Sequence, residues 1–89
     1  MSIFFNEMMV WRRMSDTLAV RYSCVRNLDT NKYAVQSADH FYAPVNEVQI
    51  SSMSAQFVEL FLEESPETRC NWFDSVEEAI RDHDVQFND

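Results

Sequence analysis

Apolar positions along the chain change period twice. From Thr17, the residues Leu18, Val20, Tyr22 and Cys24 alternate with Ala19, Arg21 and Ser23. A period of two predicts a half-buried strand, with Arg21 and its neighbours turned to water. The segment NLDTN, Asn27 to Asn31, supplies Asn and Asp, which close turns and tolerate positive φ. A second strand follows over Lys32–Ala38, with Tyr33 and Val35 on one face, so residues 17–38 read as a β-hairpin. A short third strand is expected at His40–Ala43, ended by Pro44.

Ahead of the hairpin, Phe4, Met8 and Trp11 fall at spacings of four and three, which predicts a short helix over 2–14. A strand stays open as the alternative, because Ile3–Phe5 and Met8–Trp11 are apolar with little interruption. Beyond Pro44 the period becomes helical. Ser51 or Ser52 is placed to cap a helix over about 52–64 whose buried stripe is Met53, Phe57, Leu60 and Phe61, and Pro66 stops it. Asp74 and Ser75 each stand three residues before a glutamate, Glu77 and Glu78, and so mark the start of a last helix over about 75–84. That helix packs Val76, Ala79 and Ile80, and residues 85–89 are expected to form a mobile tail.

The fold class expected is α+β: a small antiparallel sheet of two or three strands with two or three helices packed on one face. At 89 residues there is room for one domain and one core. A hydrophobic fraction of 46% is far above that of disordered chains, so the chain is expected to fold.

Charge divides the chain. Up to Ser37 there are five basic and three acidic residues, a balance of +2; from Ala38 on there are two basic and twelve acidic, a balance of -10, and the total is -8. The acidic half repels nucleic acid, so no direct DNA or RNA binding is expected. A basic protein surface would be attracted to it. The competing reading is that acidic helices serve only to keep a small protein dissolved.

Few features point to chemistry. Glycine is absent, which excludes phosphate-cradling loops and dinucleotide fingerprints. Cys24 and Cys70 lie far apart and read as free thiols, and the basic residues of MSIFFNEMMVWRR follow the apolar stretch, the reverse of a secretory leader. No apolar run reaches the roughly 20 residues of a membrane span. A soluble cytoplasmic protein without membrane partners is the expectation. Cys24 with His40 or His83 is the only thiol–imidazole combination worth weighing, and its phase with Val20 and Tyr22 favours core packing over nucleophilic chemistry. Asp39-His40 and Asp82-His83-Asp84 lack metal-ligand spacing, and Glu63-Glu64 and Glu77-Glu78 are helix neighbours about 100° apart that cannot face one another. No catalytic residue, cofactor or metal site is therefore assigned, and the chain is not expected to be an enzyme.

Binding is the better prospect. In QFVELFL, Gln56 to Leu62, the apolar residues cover more of the helix than one sheet needs. Either the segment Ile3–Trp11 covers the surplus within the chain, or the surplus forms an interface. The candidate partner-binding residues are Glu59, Glu63, Glu64, Glu67, Trp72, Phe73, Glu77, Glu78 and Asp82, with carboxylates supplying the field and aromatics the anchors. The function expected is an acidic protein-binding module, an inhibitor or immunity-type protein, similar in size and charge to many small bacterial proteins of that kind. The alternatives are a structural homo-oligomer, with a homodimer as the simplest form, and a small thiol enzyme.

Overall fold

A computed structural model describes residues 2–87. Three strands, β1 (Phe5–Arg13), β2 (Leu18–Asn27) and β3 (Lys32–Tyr42), precede three helices, α1 (Glu47–Glu63), α2 (Pro66–Arg69) and α3 (Val76–Phe87). The strands form one antiparallel sheet in the order β1-β2-β3, which makes the fold α+β.

Residues 2–14 do not form the expected helix. Phe5–Arg13 is a strand, paired residue for residue with β2 from Phe5 opposite Asn27 to Arg13 opposite Ala19. A spacing of four is even, so it keeps Phe4 and Met8 on one side of a strand as well as of a helix. The spacing of three separates the two readings. It turns Trp11 to the opposite face, while Met8 and Val10 pack against the core of Val20, Tyr22 and Cys24.

The hairpin is present, closed by Asn27 as expected of a chain without glycine. The Asn27 side-chain oxygen accepts from the amides of Asp29 and Thr30, at 2.9 and 3.3 Å, and Asn31 takes the left-handed conformation with φ 60°. The third strand expected at His40–Ala43 is the continuation of β3. A register shift opposite Ser23/Cys24 leaves Gln36 as an extra residue, which separates the two stretches in sequence phase but not in the sheet.

β2 is central and buried on both sides, so Arg21 does not face water as expected: it is buried, like Ser23 and Asn27. Two flanking strands and two helices account for this. Val76 and Ile80 of α3 pack on the side of Val20, Tyr22 and Cys24. Phe57 and Phe61 of α1 line a groove with Val25 and Phe5, whose side chains alternate to the other side. The expected one-face packing therefore describes α3, and α1 lies along the second face.

Helix α1 starts earlier than the serines suggest, because Asn46 is the cap: its side chain accepts from the amides of Val48 and Gln49 at 3.0 and 3.1 Å. Pro66 ends α1 and opens α2, where a proline at the first position loses no hydrogen bond and Ser65 caps. Ser75 caps α3 by accepting from the Glu78 amide at 3.2 Å, whereas Asp74 forms an ion pair with Lys32. Helix α3 runs through Val85–Phe87, so the expected tail is helical that far, and its last two positions, 88–89, lie outside the described residues.

Candidate functional site

The end of the sheet nearest the β2–β3 turn collects the C-terminus of α1, α2 and the N-terminus of α3. Aromatic contacts fix this arrangement. Phe5, at the start of β1, meets Phe61 edge-on with ring centres 5.6 Å apart and stacks on Trp72 at 6.1 Å. Phe73 then exchanges two backbone hydrogen bonds with Tyr33, each 2.8 Å, on the outer edge of β3. Trp72 is also held by its indole N–H, which donates to the carbonyls of Pro66 and Glu67.

These contacts place the sequence candidates. Glu59 and Glu63 are on α1, Glu64 caps it, Glu67 is on α2, and Glu77 and Glu78 are in the first turn of α3; all six are exposed. Glu64 accepts from the Thr68 hydroxyl at 3.3 Å. Trp72 and Phe73 are half-buried and join the helices to the sheet. Asp82 lies a turn farther along α3, half-buried, and accepts from Gln86 at 2.9 Å. Among the described residues the ion pairs use Asp39, Asp74 and Asp84, so none of the six glutamates is neutralised that way.

The apolar surplus of QFVELFL divides. Phe57 and Phe61 turn inward, toward each other and toward Phe5, which is the intramolecular cover expected from the N-terminal segment. Val58 and Leu62 do not follow. Leu62 is 78% exposed, and with Val58, Phe5 and Glu7 it borders an open groove of about 260 Å³. Apolar and carboxylate side chains thus alternate on the outer surface of α1.

Cys24 has none of the features of an activated nucleophile. It is fully buried, its thiol donates to the Tyr22 carbonyl at 3.7 Å, and burial pushes its pKa up to about 11. Cys70 is half-buried, with a pKa raised by burial against the opposing pull of Arg69. It lines a cavity with His83, whose pKa is lowered, also by burial. No group of three or more His, Cys, Asp or Glu side chains among the described residues is arranged to hold a metal ion, and no helix is long and apolar enough to cross a membrane.

The raised Cys24 thiol predicts a pH dependence. A folded pKa above the unfolded value means that the folded chain holds its proton more tightly. The stability this contributes is complete below the ordinary value of 9.0 and is lost as pH rises through about 11. Tyr22, raised by burial and by its hydrogen bond to Asp84, adds a loss of the same sign at higher pH. Denaturation midpoints should fall across this window, and Cys24→Ala should flatten the fall. An equally steep fall in Cys24→Ala would remove the thiol as its cause.

Sequence reasoning missed the group around Arg21. Its guanidinium lies 5.0 Å from the centre of the Phe41 ring and 5.9 Å from that of Trp11, and it donates to Asp39 at 3.4 Å. The signal was present in the phase of Trp11, Arg21, Asp39 and Phe41, but only once β1 is read as a strand. No family model matches the chain, and neither the curated proteins nor the solved structures compared with it give a match.

Proposed function

We propose that this chain is a non-catalytic protein-binding module of the inhibitor or immunity kind, which captures a partner with a basic surface. The observation that supports this reading is the set of exposed glutamates on the elements that meet at one end of the sheet: Glu63 and Glu64 at the C-terminus of α1, with the uncovered Leu62 before them, Glu67 on α2, and Glu77 and Glu78 in the first turn of α3. Unpaired carboxylates raise the rate of encounter with a cationic surface, and an apolar residue that water leaves on contact adds affinity. Trp72 and Phe73 contribute by holding the three elements in place as well as by the surface they show.

The test is capture of a partner from host extract by the full chain, compared with Glu63→Lys/Glu67→Lys and with Glu77→Lys/Glu78→Lys. The expected result is one basic protein, retained at low salt, released progressively as salt rises, and lost with either double reversal. Retention of the same partner by both variants, indifferent to salt, would refute capture by this end of the molecule.

A further inference from the structure

The two edges of the sheet differ. The outer edge of β3 is blocked by the Tyr33–Phe73 bridge and kinked at Gln36. The β1 edge has neither device: its nine residues pair with β2 in unbroken register, and it contains no proline. At its two ends the Phe4 carbonyl accepts from Leu28 and the Met14 amide donates to Leu18, both at 3.0 Å. In an antiparallel ladder the backbone groups alternate in direction. Even-numbered residues of β1 therefore pair with β2, and Glu7, Met9, Trp11 and Arg13 direct their N–H and C=O groups outward, away from the sheet.

An unprotected regular edge is a template for another strand. We propose that its occupant is a second copy of this chain, joined β1 to β1 in antiparallel register about a two-fold axis through Val10, giving a continuous six-stranded sheet. The charges select this register. Placing Val10 opposite Val10 sets Glu7 of each copy opposite Arg13 of the other, and Met9 opposite Trp11. Glu7 and Arg13 are both exposed, and neither takes part in an ion pair among the described residues. Met9 and Trp11 are 41% and 57% exposed, the uncovered apolar surface that such pairing would bury. Shifting the axis to Met9 instead sets Glu7 opposite Trp11 and Arg13 opposite Phe5, with no charge matched. The symmetry is isologous, so the assembly closes as a dimer.

Glu7 borders the same groove as Leu62, but the edge uses none of the glutamates at the turn end, and its test does not depend on them. Sedimentation equilibrium of the full chain, Glu7→Arg, Arg13→Glu and the double swap measures the association. Each ion pair occurs twice, so either single reversal should weaken the dimer by about tenfold, and the double swap should restore it. In a Cys70→Ser background, Val10→Cys should cross-link on oxidation and Met9→Cys should not. A chain that stays monomeric at every concentration, a dimer that the single reversals leave unchanged, or cross-linking by Met9→Cys in preference to Val10→Cys would overturn the proposal. Reversal of Glu63 and Glu67 should leave the equilibrium unaltered.

Discussion

Replacement of Tyr22 by alanine should destabilise the chain by about 3–5 kcal/mol, the range for loss of a buried aromatic ring. Tyr22 is 2% exposed at the centre of the middle strand, between Val10 of β1 and Ala38 of β3, and meets the His83 ring edge-on at 6.0 Å. Its hydroxyl donates to Asp84 of α3 at 2.7 Å, so one side chain links the sheet to the helix above it. Domains of this size are stable by only about 5–15 kcal/mol, so the variant should be marginal at physiological temperature. Tyr22→Phe separates the two contributions. It retains the ring and loses one hydrogen bond, at a cost of about 1 kcal/mol. Asp84 keeps its ion pair with Arg12 in that variant. Urea unfolding of the two proteins measures both terms, and equal midpoints would mean that the hydroxyl, not the ring, carries the stability.

Those elements whose pattern has a single period were legible in the sequence. Leu18 to Cys24 alternates strictly, and the turn at Asn27–Asn31 uses the residues a glycine-free chain must use, so the hairpin was readable with its closure. The last helix was readable from Ser75 and Glu78, three residues apart. The N-terminal segment was not, because Phe4 and Met8 satisfy both periods and only Trp11 distinguishes them. Local propensity was silent about what lies next to β2, and that neighbourhood decides whether Arg21 meets water or protein. The boundary of α1 was lost for a similar reason: Asn46 and Ser51 are both good caps, and the structure uses the earlier one.

The candidate site was legible as a composition and not as a surface. Counting charges located the acidic half, but the placing of the elements that carry Glu63, Glu67 and Glu77 depends on Phe5 meeting Phe61 and Trp72, contacts between residues more than fifty positions apart. QFVELFL announced an apolar surplus, whereas its division into Phe57 and Phe61 inward and Val58 and Leu62 outward follows from the path of α1 over the sheet. The open edge of β1 is a property of topology and has no signature in sequence at all.

Arg21→Met should cost about 3 kcal/mol, and Arg21→Met combined with Asp39→Leu should recover most of it. The Arg21 side chain is 9% exposed and that of Asp39 16%, so the pair has given up most of its hydration. The Arg21 Nε is buried without a hydrogen-bond partner, so the guanidinium is incompletely satisfied and its attraction to Asp39 repays only part of that loss. Trp11 and Phe41, which lie against each other, offset a further part through their rings. Removing the arginine alone leaves a carboxylate enclosed with no opposite charge. Removing both leaves methionine and leucine beside two aromatic rings, with no enclosed charge left unpaired. A double-mutant cycle in urea therefore predicts strong non-additivity, with the double variant more stable than Arg21→Met alone. Additive losses would mean that Asp39 is hydrated well enough to stand without its partner, and that Arg21 is held by the rings rather than by the ion pair.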